Sequence, residues 1–588
     1  MLLFYDIECM VYDSLVVMKN INDSIVGVWW NSPPGDFPED SPNGFEGIRA
    51  FIQGHTLVGY NNHHYDDIML SAMMAGYTQR SLKALNDAII GNNEDAIRGD
   101  INRAKRELTT LDTIQQIDGQ NIPSLKQIEG NMGRSIIESP VDFSIDRPLT
   151  EDEKATVLYY CAYDVSTTIA VYKIREKNYF QVKNALVSML PARSRLKNPM
   201  SLNTTTLSAD ILLERPLPKW ATLRLPETVR NTPDIPDAVW EMWTAAEMTN
   251  DRESKEQKVA VKNYDCEITF ASGGLHGVAL KGKEFRGVKL LDVGSMYPSI
   301  IVNLEALGTP GTEQYNRMRL ERLILKKTDK VRADAYKLVL NSVYGNLKNQ
   351  YSILNNPLAS LSVCAYGQLA LYDLSRRLYE AGYTLVNLNT DGVAFVDYSG
   401  AGDSWQRVQK EWEQVYNLSL ELDEFDRWIQ RDVNCYVAVG KDGHIKTKGG
   451  DCKLFASDNL FGNNNARIIQ IALVEQLLHD IPVWKTVMAH RDEPNLYHYI
   501  LKAGRTYTGV VDGQGNKYQN VNRVFATAGE GIKLYKQRSD GGLVNFPDAP
   551  ETMFLWNGEL SEIPDFRKVV DLGHYMEKTE KNLERWRE

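Results

Sequence analysis

The segment LLDVGSMYPSI, residues 290–300, constrains the fold more than any other part of the chain. An apolar run, Val288–Leu291, predicts a buried strand that delivers one carboxylate, Asp292, at its end. A Gly-Ser-Met-Tyr-Pro turn follows, and Pro298 suits the first turn of a predicted helix that Ser299 and Ile300 begin. Mg²⁺ prefers hard oxygen ligands and often shares one or two carboxylates with substrate phosphates. Alone, such an acid is most often a helix cap or a solvated loop residue, so its meaning depends on what accompanies it.

A second segment, KLVLNSVYGN (337–346), predicts an amphipathic helix. Lys337, Asn341 and Tyr344 recur at i, i+4 and i+7, so they share one face. The neighbouring apolar stripe, which would dock the helix, consists of Tyr336, Leu340, Val343 and Leu347. A cation, an amide and a ring on one face suit a triphosphate, a sugar and a base, although a plain surface helix is an equally good interpretation of this segment alone.

A third segment, residues 383–396, predicts two apolar strands joined by an Asn-Thr-Asp-Gly turn. Asp391 lies in the turn, where it would meet Asp292 on a neighbouring strand. By itself this pattern is most often only a hairpin.

Carboxylates also recur in three segments near the N-terminus. Asp6 and Glu8 stand at i and i+2 of an apolar strand, Asp66 follows in residues 58–70, and Tyr160 and Asp164 stand at i and i+4 of a predicted helix. Four acids that converge on one point repel one another unless cations neutralise them, so the set predicts bound metal ions.

In their order, the first three segments resemble motifs A, B and C of the family B DNA polymerases, D-x-x-S-L-Y-P-S-I, K-x-x-x-N-S-x-Y-G and D-T-D. The N-terminal segments resemble the three motifs of DEDDy 3′→5′ exonucleases, D-x-E, N-x-x-x-(F/Y)-D and Y-x-x-x-D. The chain is similar to the compact bacteriophage type. The resemblance implies a multidomain α/β and α+β fold, in which a ribonuclease H-like exonuclease domain precedes a right-hand polymerase of palm, fingers and thumb.

The resemblance also implies domain bounds along the chain. We expect an exonuclease domain at 1–185, a connector and the start of the palm at 186–285, the palm at 286–455 with short helical fingers at about 303–349, and the thumb at 456–588. Only 45 residues separate Asp292 from Lys337, and 50 separate Asn341 from Asp391. These intervals hold one helical hairpin and leave no room for the insertions of protein-primed phage polymerases, which disfavours protein priming and built-in strand displacement.

The resemblance assigns a role to each matched residue. Two Mg²⁺ ions, replaceable by Mn²⁺, would bind Asp292 and Asp391, and two more would bind Asp6, Glu8, Asp66 and Asp164, with Tyr160 orienting the attacking water. Expected dNTP-binding residues are Ser295, Tyr297, Lys337, Asn341, Tyr344, Arg322, Lys326 and Lys330, of which Tyr297 would exclude a 2′-hydroxyl. Expected DNA-binding residues are Asn61, Gly273, Gly274, Tyr436, Lys446 and Lys448. Five thumb bases are expected at the duplex: Arg505, Lys517, Arg523, Lys533 and Lys536.

Two residues depart from the family patterns. Asn389 stands where D-T-D has its first Asp, and Asn434 stands where the K-x-Y strand that grips the primer has Lys. The second acid of D-T-D is the metal ligand in the family, and Asp391 retains it. In FASGGLHG (270–277), a phosphate-approaching link and a plain β-turn are equally good interpretations.

Composition agrees with this interpretation without deciding it. The net charge is −11, but nine bases and three acids between residues 317 and 348 give a local charge of +6. The six cysteines are scattered without a C-x-x-C pair, no apolar stretch approaches the ~20 residues of a membrane span, and no signal peptide opens the chain. We therefore expect a cytoplasmic monomer with primer–template DNA, dNTPs, single-stranded DNA and replisome proteins as partners, and no membrane.

The sequence leaves two rival hypotheses. One is a nuclease whose polymerase half has decayed into a DNA-binding platform, supported only by Asn389. The other is a replisome scaffold without turnover, which gives neither set of acids a purpose.

Overall fold

A computed structural model describes residues 1–32, 44–114, 123–196, 198–249, 258–271, 273–453, 455 and 464–587. These residues form a mixed α/β architecture of several units, with sheets of five, nine, three and four strands. No helix among them is long and apolar enough to cross a membrane.

The N-terminal unit is a five-stranded sheet covered by helices on both faces. Its strands lie in the order β3-β2-β1-β4-β5, with β4 and β5 parallel to β1 and the other pairs antiparallel. Its elements are β1 (Leu2–Cys9), β2 (Ser14–Lys19), β3 (Ile25–Asn31), α1 (Ile48–Phe51), β4 (Thr56–Gly59), α2 (Asp66–Met74), α3 (Gln79–Ile90), α4 (Glu94–Glu107), β5 (Thr110–Asp112), α5 (Leu125–Asn131) and α6 (Glu151–Arg175).

Both faces of β1 are buried. Successive side chains of a strand point in opposite directions, so alternate residues of β1 pack with different helices. Leu3 and Tyr5 pack with α2, α3 and α4, whereas Phe4 packs with α6. Asp6 and Glu8 continue the α6 side of this alternation. The strand therefore presents both carboxylates to the helix that carries Asp164.

A helical segment follows. The helix α6 passes through a π-helical turn (Glu176–Phe180) into α7 (Gln181–Ser188), and then come α8 (Thr204–Leu212), α9 (Glu227–Arg230) and α10 (Asp237–Thr249). Helices α7 to α10 pack against the largest apolar core of the described chain, which they share with the next sheet.

The central unit is an antiparallel sheet in the order β14-β13-β12-β9-β11-β10-β8-β7-β6. Its elements are β6 (Lys258–Asn263), β7 (Cys266–Ala271), β8 (Gly274–Ala279), β9 (Glu284–Val293), α11 (Met296–Asn303), α12 (Gly308–Thr328), α13 (Lys330–Lys348), α14 (Pro357–Glu380), β10 (Thr384–Asn389), β11 (Gly392–Val396), α15 (Trp405–Tyr416), β12 (Leu420–Asp432), β13 (Cys435–Gly440) and β14 (Ile445–Lys448).

The two faces of this sheet differ. Leu291 and Val293 pack into the core that contains the long buried helix α14, whereas Leu290 faces a smaller apolar cluster on the opposite side. Strand alternation therefore places Asp292 on the side away from α14.

Helices α12 and α13 form an antiparallel hairpin between β9 and α14, as the spacing of the motifs predicts. The Tyr315 hydroxyl donates to the carbonyl of Leu340, and Tyr336 donates to Glu321, so the two helices run past each other in opposite directions. The predicted apolar stripe of α13 is confirmed as buried, and it docks the hairpin on the central core.

The C-terminal unit contains two small sheets, ordered β15-β18-β21 and β17-β16-β19-β20, packed with four helices. Its elements are α16 (Arg467–His479), α17 (Val483–Ala489), β15 (Tyr499–Lys502), β16 (Gly509–Asp512), β17 (Lys517–Tyr518), β18 (Val521–Ala526), β19 (Leu534–Gln537), β20 (Leu543–Asn545), β21 (Met553–Leu555), α18 (Phe566–Val569) and α19 (Leu572–Arg587).

One predicted boundary is wrong. Helix α11 begins at Met296, before Pro298, because Ser295 adopts the left-handed conformation (φ 52°) and turns the chain into the helix at once. Pro298 is still within the first turn, where a backbone N–H has no intrahelical partner to lose.

Candidate active sites

The central sheet brings Asp292 and Asp391 to adjacent strands. Asp292 is one residue from the end of β9, and it pairs in register with Gly392, the first residue of β11. The turn before Gly392 carries Asp391, whose carbonyl accepts the backbone N–H of Val293 (2.7 Å). Two acids 99 positions apart in the sequence therefore stand side by side at one end of the sheet.

Gly392 leaves the space that the Asp292 side chain occupies. A Cβ built on Gly392 would lie 2.8 Å from Oδ1 of Asp292, closer than a real Cβ approaches another atom. On the other flank, Glu421 of β12 pairs in register with Asp292. Directly opposed residues of antiparallel strands share a face, so Glu421 is a third acid beside the pair. Sequence reasoning missed it because only the register of two distant strands reveals it.

The pKa values of both Asp292 and Asp391 are raised. Burial and the nearby charge of Asp391 raise the pKa of Asp292 to about 7. Partial burial also raises the pKa of Asp391, while Lys448 and Lys446 act in the opposite direction. Carboxylates that resist ionisation because of one another accept cations readily, since a cation removes the repulsion.

Asn389 and Asn434, the two residues that depart from the family patterns, contact each other. The Asn389 side-chain amide donates to Oδ1 of Asn434 (3.2 Å) and to the carbonyl of Val433 (2.9 Å). This neutral pair connects the β10–β11 turn to the turn before β13.

An aromatic stack lies beside the carboxylate pair. The rings of Tyr297 on α11 and Tyr344 on α13 are 4.5 Å apart at 30°. The Tyr297 hydroxyl donates to the carbonyl of Gly273 (3.0 Å), and Lys348 lies over the Tyr344 ring (5.1 Å). Gly274 begins β8 in register with Ala271 at the end of β7, and the carbonyl of Gly273 just before it anchors Tyr297.

Cations and polar groups surround this stack on the α12–α13 hairpin. Lys337 and Asn341 are exposed on the same face of α13, Lys326 and Lys330 are exposed near the hairpin tip, and Ser295 is exposed before α11. Among the described residues, no carboxylate pairs with Lys337, Lys326 or Lys330. Arg322 is half-buried, and its Nε has no hydrogen-bond partner within the described chain.

The expected primer-gripping strands also border the pair. Tyr436 of β13 pairs in register with Lys448 of β14, and Ala438 pairs with Lys446. Tyr436 is buried and stacks on Trp428 (4.3 Å, 20°), so its ring forms part of the wall of the site. Lys446 lies 3.8 Å from Asp423 and is near Asp292.

The N-terminal unit gathers the second set of acids. Ligand atoms of Asp6, Glu8 and Cys161 lie within 4.8 Å of one another. Burial, Asp6 and Asp164 raise the pKa of Glu8, and burial and Asp6 raise the pKa of Asp66. Burial and the charge of Asp164 raise the pKa of Asp6 to about 7. Four acids from β1, α2 and α6 therefore lie close enough to influence one another's charge.

These residues fit divalent cations. Asp66 is 4% exposed, and its Oδ1 has no hydrogen-bond partner among the described residues. A buried carboxylate oxygen without a donor, beside other acids of raised pKa, is an unsatisfied ligand atom. Hard oxygen donors are the set that Mg²⁺ and Mn²⁺ prefer.

Lys126 is a further residue of this site that sequence reasoning did not single out. Its ammonium contacts Asp164, lies 3.3 Å from Glu129 and stands 4.6 Å from the centre of the Tyr160 ring. Burial opposes its charged form, but Asp164 and Glu129 outweigh burial and raise its pKa. The available signal in the sequence was Lys126 followed three residues later by an acid, Glu129, within one short helix.

The second exonuclease-like segment is fixed by backbone geometry. Asn61 adopts a left-handed conformation (φ 61°), and its N–H donates to Asp112 (2.8 Å). His63 lies between Asp112 (3.8 Å) and Asp67 (4.0 Å). Asp66 is the first residue of α2 and follows directly from this turn.

The expectation that Arg523 contacts duplex DNA is wrong, because its side chain is 0% exposed. It binds three backbone carbonyls inside the protein instead. Arg505 and Lys517 are exposed, and Lys533 and Lys536 are half-buried.

The comparisons with known proteins find likenesses among solved structures. No protein-family model matches the chain, and no curated protein matches it. Among solved structures, the chain is similar to the family B DNA polymerase from the hyperthermophilic archaeon Pyrobaculum calidifontis, with 13% sequence identity and a TM-score of 0.41 over 100% of this chain and 78% of that chain. A likeness at this level supports no functional argument, so function rests on the geometry of the two sites.

Proposed function

We propose that the chain is a DNA-templated DNA polymerase of the family B type with 3′→5′ proofreading exonuclease activity, which replicates a phage genome. The observation that carries this proposal is the presence of two separate carboxylate centres in one chain. Asp292 and Asp391 form one at the end of the central sheet, and the other surrounds β1 in the N-terminal unit. One would join nucleotides and the other would remove them.

Synthesis takes place beside Asp292 and Asp391 in this proposal. Asp292 and Asp391 would hold divalent cations there, and these would lower the pKa of an attacking primer hydroxyl and neutralise the departing pyrophosphate. Lys337, Lys326 and Lys330 are exposed cations without acidic partners in the described chain, so they are available to hold a triphosphate. Tyr297 excludes a ribose 2′-hydroxyl, because its ring is held by Tyr344 and its hydroxyl by Gly273.

Removal of 3′-terminal nucleotides takes place beside Asp6, Glu8, Asp66 and Asp164. Tyr160 is on the same face of α6 as Asp164, one turn away, where its hydroxyl orients the attacking water. Lys126 sets the charge of this site, because it contacts Asp164. The partners are primer–template DNA and dNTPs at the first site and a frayed single strand at the second.

The contact between Asn389 and Asn434 counts against decay of the polymerase half. In the family pattern these positions carry an acid and a base, and here both are neutral amides that hydrogen-bond each other. The contact leaves no unpaired charge beside Asp391, and a decayed site has no need of such a contact.

One gel tests the proposal against both rivals. Purified protein is incubated with a labelled primer–template and Mg²⁺, with and without dNTPs, and EDTA is added in a third arm. We expect extension with dNTPs, shortening without them, and neither with EDTA. Shortening without extension would favour the decayed nuclease, and binding without any turnover would favour the scaffold.

A further inference from the structure

Arg523 is a buried cation that ties the C-terminal unit to the N-terminal unit. It belongs to β18, and its guanidinium donates to the carbonyls of Gly130 (3.0 Å), Arg134 (2.5 Å) and Gly558 (2.7 Å). Gly130 and Arg134 lie about 390 positions earlier in the chain. Burial lowers the pKa of Arg523 to about 10, so it remains charged at neutral pH.

The carbonyls that Arg523 binds belong to the end of α5. Gly130 is the last residue but one of this seven-residue helix, and Arg134 lies just beyond it. The last carbonyls of a helix lack intrahelical partners and carry partial negative charge, so a buried guanidinium both satisfies and attracts them. A helix this short depends on such tertiary contacts for its position.

Helix α5 carries Lys126, the cation of the exonuclease-like site. Lys126 contacts Asp164, and Glu129 accepts from both Lys126 (3.3 Å) and Thr167 (3.2 Å) on α6. A second connection runs beside it. The Arg134 guanidinium lies over the ring of Tyr163 (5.1 Å), the residue next to Asp164.

The C-terminal unit leaves α5 little freedom to move. A Cβ on Gly130 would lie 2.5 Å from Cδ1 of Ile500 on β15, so the helix end is packed directly against the C-terminal sheet. The N–H of Ile136 also donates to the carbonyl of Asn557 (2.7 Å), and the N–H of Leu560 donates to that of Gly133 (2.9 Å).

We propose that Arg523 is a positioning residue for the exonuclease site, acting through the end of α5 to place Lys126 against Asp164. This inference rests on the proposed exonuclease activity. It makes trimming by the N-terminal unit dependent on a residue of the C-terminal unit that touches neither DNA nor the acids.

The test compares full-length variants on single-stranded and primer–template DNA. Arg523→Lys keeps the charge but loses the forked geometry. We expect its exonuclease kcat to fall about tenfold, with KM and primer extension each changed less than twofold, because a small displacement of a catalytic group is enough. Glu138→Gln is the matched control. Its carboxylate binds the N–H groups of Asn520 (2.8 Å) and Val521 (2.9 Å) at the same interface but beyond α5, so trimming should be unchanged.

A double-mutant cycle separates positioning from general stability. If Arg523 acts through Lys126, Arg523→Lys should add less than a twofold loss to the exonuclease kcat of Lys126→Met. If the two losses multiply in the double variant, the inference is overturned, and trimming at the wild-type rate by Arg523→Lys would overturn it too.

If Arg523→Lys also loses primer extension, a second variant, Gly130→Ala, distinguishes positioning from general destabilisation. It crowds Ile500 and should reduce trimming alone, whereas normal trimming by Gly130→Ala would overturn the inference. Absence of trimming in the wild type would instead refute the proposed exonuclease.

Discussion

Asn389 hydrogen-bonds Asn434 across the gap between the β10–β11 turn and the turn before β13, at 3.2 Å. The pair stands beside Asp391, in a region where burial and the charge of Asp391 raise the pKa of Asp292 to about 7. The neutrality of the pair therefore matters to the proposed cation-binding site next to it.

The first prediction follows from this neutrality. Asn389→Asp adds a carboxylate beside Asp391 without a partner, and we expect about a tenfold loss of primer extension at fixed Mg²⁺. Asn434→Lys alone adds an unpaired cation and should also reduce extension. The double variant restores an acid and a base in contact, and its rate should return to within about threefold of wild type. A double variant worse than either single variant would show that the two positions are independent.

Gly392 gives the second prediction. Gly392→Ala places a methyl carbon 2.8 Å from Oδ1 of Asp292, so the carboxylate must move. We expect primer extension to fall at least about 100-fold, because a displaced catalytic group costs that much, with trimming unchanged. Gly513→Ala is the control, since its nearest neighbour beyond the adjoining residues would be 3.9 Å away. Normal extension by Gly392→Ala would mean that Asp292 needs no fixed position.

Lys126 gives the third prediction, which concerns pH. The acids of the exonuclease-like site must be ionised to bind cations, so trimming should rise with pH through their pKa values. Burial and Asp164 raise the pKa of Asp6 to about 7, and Lys126 acts to lower it. Lys126→Met removes that cation, so the acidic limb of the pH–rate profile should move upward by about one unit. An unchanged or downward-shifted profile, measured with extension as the internal control, would contradict the assignment.

Part of this arrangement is predictable from the sequence. The strand that ends at Asp292, the hairpin around Asp391 and the helix containing Lys337 are each encoded by local periodicity and turn residues, and the structure confirms all three elements. Other features depend on contacts between distant segments. The register of β12 places Glu421 beside Asp292, and segment 130–134 buries Arg523, which sequence alone presents as a surface base.

The fourth prediction concerns stability. His498 is buried, and burial together with Arg523 and Arg467 lowers its pKa to about 3. The folded protein therefore keeps His498 neutral, whereas the unfolded chain protonates it near pH 6.5. This contribution to stability is complete above pH 6.5 and is lost as the pH falls toward 3.

At pH 5 the loss should be about 2 kcal/mol relative to pH 7. His498→Gln should remove that part of the pH dependence of the urea unfolding free energy, and His444→Gln, at an exposed turn, should not. An unchanged pH dependence in His498→Gln would contradict a neutral buried His498.

The central claim is that two cation-binding centres perform opposite reactions on the same DNA end. The most direct test follows one labelled primer–template with a mispaired 3′ terminus, in Mg²⁺ and dNTPs, with two reciprocal variants. Asp391→Ala should shorten the primer without extending it. The Asp6→Ala, Glu8→Ala double variant should leave the mispair in place and still extend a matched primer. Normal extension by Asp391→Ala, or continued shortening by the double variant, would contradict the account.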